Sequence, residues 1–453
     1  MTPNPAAAPG AAAARRPARV LIIGGGYIGL YSAITLERHL SAEEAEVTLV
    51  APSPHMTYQP FLPEAAGGNI EPRHTVVPIR PTLDRTHIVS GRVVDLDHDA
   101  RRATIAPPEG PEYAVEYDHV IIGAGAVSRV LPVPGLAENG VGFKSVGEAI
   151  YLRNHVISCL DKAESTTDPK VRRRALTFVF VGGGYAGVEA LAELEDLACY
   201  ACRDYDTVSP QDMRWVLVEA MPRILPEVPA ALSEHALSVL VRRGIDVYLE
   251  TRLDSAEQGH IVVSNGERFE AETLVWTTGV RAQPVLEQFG FETDERGRVL
   301  TDEYLRVRGR DGAWAAGDAA AVPDLVRGGV SPPTAQYALR QARRLGKNLA
   351  ATIKGREMQP FRYKNKGLLV SLGRYQGVAE VMGWDLKGLP AWFLHRTYHL
   401  AMIPTLSRKS RVLVDWTVAL LFRRDIVQLQ EISTPRRAFL EAVPRAEAGK
   451  SAS

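Results

Sequence analysis

Cysteine is scarce in this sequence, with three residues among 453. So few cysteines cannot form the disulfide framework of a small secreted domain, and they suit a reducing compartment. Long apolar runs are also missing, because no stretch reaches the roughly eighteen consecutive apolar residues that a membrane-spanning helix needs. The sequence therefore predicts a protein of the cytoplasm that has no spanning helix of its own.

Net charge is absent as well, because 53 Lys and Arg are balanced by 53 Asp and Glu. Composition thus gives no reason to expect nucleic acid as a partner, and a charged partner would have to be recognised by a local patch. The first seventeen residues are mostly small and lack the apolar segment of a signal peptide. We expect them to form a disordered tail ahead of two or three domains.

A strand, a glycine turn and a helix follow one another twice along the chain. The two turns fit the pattern GxGxxG, and their glycines are Gly24, Gly26 and Gly29 in the first copy and Gly182, Gly184 and Gly187 in the second. In such a turn the first glycine permits a tight bend, the second lets a pyrophosphate approach the backbone, and the third lets the helix pack on the strand. One copy is weak evidence, whereas two copies in the same setting predict two dinucleotide sites. We expect an α/β fold with two Rossmann-like, doubly wound domains.

The residue that follows the next strand helps to identify each dinucleotide. Glu219 follows the strand Trp215 to Val218, where a carboxylate accepts a hydrogen bond from a ribose 2′-hydroxyl and repels a 2′-phosphate. This favours NAD over NADP, although an exposed surface glutamate is the alternative. The first copy has Ala51 at the corresponding position, which weakens the ribose contact but not the pyrophosphate site.

A third element completes the first site. The strand Ala313 to Ala316 leads into Gly317 and Asp318. The carboxylate of Asp318 is placed to accept hydrogen bonds from the ribityl hydroxyls of a flavin, and it could also cap a helix. FAD in the first site and NAD(H) in the second are therefore the expected nucleotides.

With these residues in place, the chain resembles the two-dinucleotide flavoprotein reductases, and among them the type II NADH dehydrogenases. The resemblance rests on motifs between residues 18 and 430. The matching segments are MTYQPFLPEAAGG (56–68), YDHVIIGAGA (117–126), FVGGGYAGVE (180–189), VEAMPRILP (218–226), WTTGV (276–280), AAGDAA (315–320), PPTAQYAL (332–339) and FRYKNKGLLVSLGR (361–374).

The resemblance implies an NADH:quinone oxidoreductase that passes hydride from NADH to FAD and then two electrons to a membrane quinone, menaquinone or ubiquinone, without pumping protons. It also implies a domain plan. The expected segments are a tail (1–17), an FAD-binding domain (18–149 and 291–376), an inserted NAD-binding domain (150–290), a C-terminal membrane-associating region (377–430) and a second tail (431–453).

Several site residues are carried over from the family pattern. Ala335 and Gln336 match the pair at the quinone tunnel, Glu189 matches a glutamate near the nicotinamide, and Lys366 is proposed as the ion-pair partner of Glu189. The motif glycines Gly125 and Gly279 are expected beside the cofactors. Without the resemblance, Gln336, Glu189 and Lys366 would be interpreted as a surface amide, a helix charge and a turn lysine.

One residue departs from the family pattern. The pattern usually has a second glutamine four residues after the first, but this chain has Arg340 there. A guanidinium cannot accept a hydrogen bond, so a quinol hydroxyl would meet different chemistry. The departure leaves the type of quinone, and the use of a quinone at all, open.

The only CxxC pair, Cys199 and Cys202, lies near the end of the second glycine-turn helix. That places it about four helical turns from the pyrophosphate end. The pair is therefore predicted to be structural, neither a redox dithiol nor part of a metal site.

The C-terminal region carries a local excess of positive charge. Seven Lys and Arg between Leu386 and Arg424 face a single acid, Asp415, and short apolar blocks lie among them. This composition suits amphipathic helices at an anionic membrane surface. The resemblance to the type II enzymes favours this interpretation and implies peripheral binding at the cytoplasmic face of the cell membrane. A homodimer interface or a helix hairpin packed on the core is the alternative.

Two other functions remain open at this point. A soluble reductase of a ferredoxin or rubredoxin carrier would have the same cofactor sites but would need no membrane patch. A flavin redox sensor would change its oligomeric state with NADH and would show negligible turnover.

Overall fold

The computed structural model describes residues 16–365 and 367–429, which form two compact units. The first unit contains residues up to 56, then 78–127 and 281–363. The second contains residues 57–77, 128–280 and those from 364 onward. Both units are discontinuous in sequence, and each contains one of the two glycine turns.

The described helices are numbered here in chain order. They are α1 (Tyr27–His39), α2 (Leu62–Ala66), α3 (Leu136–Asn139), α4 (Val146–Ser165), α5 (Pro169–Ala175), α6 (Tyr185–Ala201), α7 (Ala230–Arg242), α8 (Ala335–Ile353), α9 (Leu389–Met402) and α10 (Leu406–Leu421).

The first unit is built on a parallel sheet. Its strands lie in the order Ala313–Ala315, His119–Ile122, Ala18–Ile23, Ala45–Ala51 and His87–Ser90. The central strands are apolar and buried, as a parallel sheet covered on both faces requires. Helices α1 and α8 pack together closely enough that a Cβ on Gly346 would lie 2.8 Å from the Thr35 Cβ.

Smaller strands complete the first unit. They form an antiparallel sheet (Arg92–Asp97, Arg102–Ala106, Tyr113–Glu116) and a parallel pair (Val299–Leu300, Ala320–Ala321). Four short strands lie where the chain passes from one unit to the other: His55–Thr57, Val76–Pro78, Ala126–Ser128 and Val280–Ala282.

The second unit repeats the parallel design. Its main sheet has the order Gly140–Val141, Thr273–Trp276, Thr177–Val181, Arg214–Val218 and Ile245–Tyr248. In both sheets the strand before the glycine turn lies between the strand that follows it in sequence and one that returns from much later. This order reverses direction beside the glycine turn, and dinucleotides bind at such a reversal in doubly wound sheets. The prediction of two Rossmann-like sheets is therefore confirmed.

The rest of the second unit consists of two antiparallel sheets and the C-terminal helices. The sheets are Leu253–Ser255, His260–Val263 and Arg268–Glu270, and Gly367–Ser371, Gly377–Val381 and Trp384–Lys387. The predicted C-terminal region at 377–430 thus begins inside a sheet, and its helices α9 and α10 follow. Among the described residues, no helix has the length and apolar character needed to cross a bilayer.

Candidate dinucleotide and acceptor sites

The first glycine turn has the geometry that a pyrophosphate requires. Gly24 has a φ of +101°, and a Cβ there would collide with the carbonyl oxygen of Gly123. A Cβ on Gly29 would collide with the carbonyl oxygen of Gly24, so the helix can approach the turn only if glycine is present. Gly26, in contrast, has nothing within 4 Å of its Cβ direction. The turn is closed at its first and third glycines and open at the second, where a phosphate would approach.

The second glycine turn repeats this pattern in the other unit. Gly182 has a φ of +114°, and its Cβ would lie 2.8 Å from backbone atoms of Thr277. A Cβ on Gly187 would collide with the carbonyl oxygen of Gly182, whereas the space beside Gly184 is open. The two copies therefore share one geometry, which the sequence pattern predicted from the spacing of the glycines.

The helices that leave the two turns start with available backbone donors. Helix α1 starts after Gly26 and helix α6 after Gly184, and neither N-cap residue makes a side-chain capping hydrogen bond. Neither helix has an acidic residue in its first turn. Because the first N–H groups of a helix lack intrahelical partners and lie at the positive end of its dipole, they suit an anion. The residues present thus fit a pyrophosphate at each turn.

The residues at the ends of the second strands differ between the units, as expected from the sequence. Ala51 is the last residue of its strand, whereas Glu219 directly follows its own. Glu219 accepts backbone hydrogen bonds from Gly183, at 2.5 Å, and from Met221, at 2.7 Å. These bonds hold the carboxylate beside the glycine turn. Ala51 is buried, and a Cβ on Gly25 would lie 2.8 Å from the Ala51 Cβ. The first unit therefore packs a methyl group where the second has a carboxylate.

Two motif glycines lie beyond the neighbouring strands of the same sheets. Gly125 follows His119–Ile122 with a φ of +71°, and Gly279 follows Thr273–Trp276 with a φ of +114°. Neither has an atom within 4 Å of its Cβ direction. At both positions the backbone is unobstructed and lies beyond the carboxyl end of a strand, which is the edge of the sheet where nucleotides bind.

Gly317 and Asp318 lie at the end of the strand Ala313–Ala315. The backbone N–H of Gly317, whose φ is +69°, donates to the Gln341 side-chain oxygen at 2.8 Å. A Cβ at Gly317 would lie 2.8 Å from the side chain of Ile28 in α1. Asp318 follows in a single helical turn and is half-buried. Its carboxylate therefore belongs to the same unit as the first glycine turn.

Ala335 and Gln336 form the first turn of α8, where Thr334 is the N-cap residue. The Gln336 side-chain oxygen accepts a hydrogen bond from the Tyr363 hydroxyl at 3.0 Å. Arg340 donates from Nη1 to the Gln336 carbonyl oxygen at 2.9 Å. Its guanidinium lies 4.3 Å from the centroid of the Tyr363 ring. Sequence reasoning did not select Tyr363, whose only local signal is its place in a family-like segment.

Glu189 lies in the second turn of α6 and is buried. Its Oε1 accepts a hydrogen bond from the Ser371 N–H at 2.8 Å and lies 3.3 Å from His395 Nε2. His395 belongs to α9 and was not singled out in the sequence. Its signal there is slight, because it consists of two histidines, His395 and His399, spaced one helical turn apart. Lys366, the predicted partner of Glu189, lies outside the described residues.

The surroundings of His395 set its proton affinity. Burial lowers its pKa, but the hydrogen bond and charge of Glu189 raise it, and the result is a pKa above the ordinary 6.5. Burial and the neighbouring His395 hold the pKa of His399 well below 6.5. His399 Nδ1 in turn hydrogen-bonds the Tyr58 hydroxyl at 3.1 Å. The pair Glu189–His395 is therefore a buried place where a proton can be held.

A second buried carboxylate borders this pair. Glu193, one turn further along α6, accepts hydrogen bonds from the Ser371 hydroxyl at 2.9 Å and from the Asn69 amide at 3.0 Å. Burial and the nearby carboxylate of Glu64 raise the pKa of Glu193. The acids and bases of this cluster are thus drawn together from α2, α6, α9 and the strand Gly367–Ser371.

The cysteines show no sign of redox chemistry. All three are free thiols, and Cys199 donates to Glu195 Oε1 at 3.2 Å at the far end of α6. Burial raises the pKa of Cys202 to about 11, which disfavours the reactive thiolate. Among residues 16–365 and 367–429, no group of histidine, cysteine and acidic side chains is arranged to hold a metal ion.

Two parallel sheets, each with a glycine turn and an uncapped helix at the reversal of strand order, define a protein with two dinucleotide sites. The sequence profile of the pyridine nucleotide-disulphide oxidoreductase family matches residues 18–342.

Comparison with related proteins defines the class of enzyme more closely. The type II NADH:quinone oxidoreductase Ndh of Mycobacterium tuberculosis is 30% identical over 90% of this chain and 89% of its own length. The Staphylococcus aureus enzyme of the same type is 30% identical over 83% of this chain and 93% of its own. The structure of NDH2 from Plasmodium falciparum in complex with NADH has the same fold, with a TM-score of 0.85 at 17% identity, covering 91% of this chain and all of that one. The chain belongs to the pyridine nucleotide-disulphide oxidoreductases and, within them, to the type II NADH:quinone oxidoreductases.

Proposed function

We propose that this protein oxidises NADH and reduces a quinone, with FAD as the carrier between them. The observation that carries the proposal is the pair of matching glycine turns, each open at its middle glycine and followed by an uncapped helix, in a chain that belongs to the type II family. Two dinucleotide sites are what a reaction between NADH and a flavin requires. When bound, FAD supplies the ability to accept a hydride and to release two electrons.

The first unit is the FAD site in this proposal. Gly24, Gly26 and Gly29 would leave room for the pyrophosphate, which the N-terminus of α1 would bind through backbone N–H groups. Asp318 would accept hydrogen bonds from the ribityl hydroxyls, and Gly317 and Gly125 would let backbone lie close to the cofactor. Ala51 provides no ribose contact, so affinity in this unit would depend on the pyrophosphate and the flavin end.

The second unit is the NADH site. Gly182, Gly184 and Gly187 would play the same part at α6, and Gly279 would leave open backbone beside the nucleotide. Glu219 would accept a hydrogen bond from the ribose 2′-hydroxyl. Its two backbone hydrogen bonds fix the carboxylate in place, and its negative charge would repel the 2′-phosphate of NADPH.

We assign Glu189 and His395 a role in the supply of protons. Reduction of a quinone to a quinol takes two electrons and two protons, while NADH supplies a hydride, which carries two electrons and one proton. One further proton per turnover must therefore come from water through the protein. A protonated His395 that donates from Nε2 to Glu189 Oε1 would hold that proton in a site closed to solvent. The part that Lys366 plays beside Glu189 stays a prediction.

Ala335 and Gln336 are the proposed contacts of the quinone head. A quinone has only carbonyl acceptors, and the side-chain amide of Gln336 offers N–H donors. Arg340 is already bonded to the backbone of Gln336 and stacked on Tyr363, which explains how the chain uses an arginine where the family pattern has a glutamine. Menaquinone and ubiquinone both meet this requirement.

The C-terminal helices are the proposed contact with an anionic membrane surface. Exposed apolar side chains extend along α10 and the segment that follows it, and they are Leu406, Leu413, Val414, Val418, Leu420, Leu421 and Phe422. The only acid of α10, Asp415, faces inward, because it accepts a hydrogen bond from the Glu71 N–H and pairs with His74. Asp425, in the segment that follows, is exposed and lies 4.0 Å from the Arg153 guanidinium. Arg411 and Arg423 remain exposed. Apolar side chains with exposed arginines among them suit anionic headgroups and the acyl boundary beneath.

The deciding experiment is steady-state oxidation of NADH by the purified, FAD-loaded protein with a menaquinone analogue, a ubiquinone analogue and a ferredoxin in parallel. Quinone-dependent turnover well above the oxygen background supports the proposal. Turnover with ferredoxin alone indicates a carrier reductase. Reduction of the flavin without turnover, together with an NADH-dependent change in oligomeric state, indicates a redox sensor.

A further inference from the structure

We infer that Tyr363 and Arg340 fix the side-chain amide of Gln336 in one orientation, so that the acceptor site presents N–H donors and discriminates in favour of quinone over quinol. This inference rests on the proposed function and assigns two positioning residues to it. Both residues act through Gln336 and belong to the same unit as Gln336.

Tyr363 sets the orientation of the Gln336 side-chain amide. The Tyr363 hydroxyl donates to the Gln336 side-chain oxygen at 3.0 Å. An amide that uses its oxygen in this way turns its two N–H donors away from the tyrosine. Among the described residues, the Gln336 side-chain nitrogen has no hydrogen-bond partner. The donor side of the amide is therefore available to a ligand, whereas its acceptor side is engaged.

The side chains of Arg340 and Tyr337 keep the ring of Tyr363 in place. The Arg340 guanidinium lies 4.3 Å from the centroid of the Tyr363 ring, and the Tyr337 ring meets the same ring edge-on at 5.0 Å. Arg340 also donates to the Gln336 carbonyl oxygen at 2.9 Å, one turn back along α8. A cation over an aromatic ring is attracted by the electrons of its face. Arg340 thus links the ring of Tyr363 to the backbone of the residue that it orients.

Quinone and quinol differ in the hydrogen-bond partners that they need. An oxidised quinone has two carbonyl acceptors and no donor, whereas a quinol has two hydroxyl groups that each need an acceptor for their proton. A fixed donor pairs with the first and leaves a hydroxyl proton of the second without a partner at this position, which carries a free-energy penalty. Product would then leave more readily than substrate, and inhibition by quinol would be weak.

The test compares Tyr363→Phe with the wild-type protein and with Tyr337→Phe as the matched control. Both variants lose one phenol hydroxyl and keep the ring, but the Tyr337 hydroxyl bonds Asp324 at 3.2 Å and does not touch Gln336. We would measure KM for a soluble quinone, the inhibition constant of its quinol, and the anaerobic rate at which NADH bleaches the flavin. Loss of one neutral hydrogen bond predicts a KM raised roughly three- to tenfold in Tyr363→Phe. The amide can then rotate, so inhibition by quinol becomes stronger. The bleaching rate stays unchanged, and Tyr337→Phe behaves as wild type.

Arg340→Met, which keeps an unbranched apolar stem and removes the guanidinium and its charge, provides a second variant if Tyr363→Phe folds poorly. It should shift the ratio of quinol inhibition constant to quinone KM in the same direction by a smaller factor. If that ratio is unchanged in both variants while the wild-type protein reduces quinone, the orienting role is refuted and the proposed function stands. If the wild-type protein reduces no quinone, both fail together.

Discussion

Replacement of His395 by glutamine tests the buried pair with Glu189 most directly. Glutamine keeps an N–H donor for the carboxylate but cannot carry a proton. The side chains of His395 and Glu189 are 3% and 9% exposed, so solvent screens their attraction little. The substitution therefore removes the positive charge and keeps the hydrogen bond. Because a bond with a charged donor is roughly twice as strong as one with a neutral donor, the free energy of unfolding should fall by about 1–1.5 kcal/mol. For a chain of 453 residues this corresponds to a fall in Tm of roughly 1–2 °C.

The fall in Tm caused by His395→Gln should depend on pH, and the direction of that dependence can be derived. The pKa of His395 is raised in the folded protein, so the stability that it contributes is complete below its ordinary pKa of 6.5 and disappears as the pH rises through the folded value. The difference in Tm between wild type and His395→Gln should therefore be largest near pH 6 and should narrow at higher pH. Glu64, Glu189, Glu193 and His399 also face this site and are present in both proteins.

An exposed pair provides the control. His260 lies 3.7 Å from Glu270, and their side chains are 63% and 47% exposed. Because water screens such a pair, His260→Gln should leave Tm within about 0.5 °C at every pH. Thermal unfolding followed by tryptophan fluorescence from pH 6 to 9 would measure both variants. A Tm difference for His395→Gln that stays constant over this range would refute the argument that His395 carries a proton beside Glu189.

The remaining predictions concern the nucleotides and the membrane. Gly26→Ala places a methyl group in open space where the pyrophosphate would lie, so the protein should fold but purify with little flavin, as the absorbance near 450 nm would report. Gly184→Ala should keep flavin and raise KM for NADH. Glu219→Ala should raise KM for NADH and reduce discrimination against NADPH. An unchanged preference for NADH over NADPH would show that Glu219 does not contact the ribose. Leu413→Glu with Leu420→Glu should abolish salt-sensitive flotation with phosphatidylglycerol vesicles while turnover with a soluble quinone persists. Flotation equal to wild type would instead direct attention to a dimer interface.

The glycine turns were predictable because their requirements are local. Gly24 and Gly182 need positive φ, and Gly29 and Gly187 need room beside the carbonyl five residues earlier, so the spacing alone carries the information. Two copies between a strand and a helix then fixed the fold class. The position of Glu219 after its strand followed from the same local order.

The division into units could not be predicted in the same way. Residues 57–77, which lie between two strands of the first unit in sequence, belong to the second unit. Asn69 in this segment hydrogen-bonds Glu193 in α6 at 3.0 Å, and a Cβ on Gly67 would lie 2.9 Å from the same carboxylate. Such packing depends on partners that are remote in sequence.

The sequence by itself determined that the chain builds two Rossmann-like sheets, because backbone conformation and steric fit at the glycine turns are set within a few residues. Which nucleotide each turn binds stays a prediction. The tertiary structure alone decided the partners of the reactive side chains. Glu189 in α6 pairs with His395 in α9, and the Gln336 side chain accepts a hydrogen bond from Tyr363. A hydrogen bond depends on where two atoms lie in space, and for residues so far apart in the chain only the folded packing sets that position.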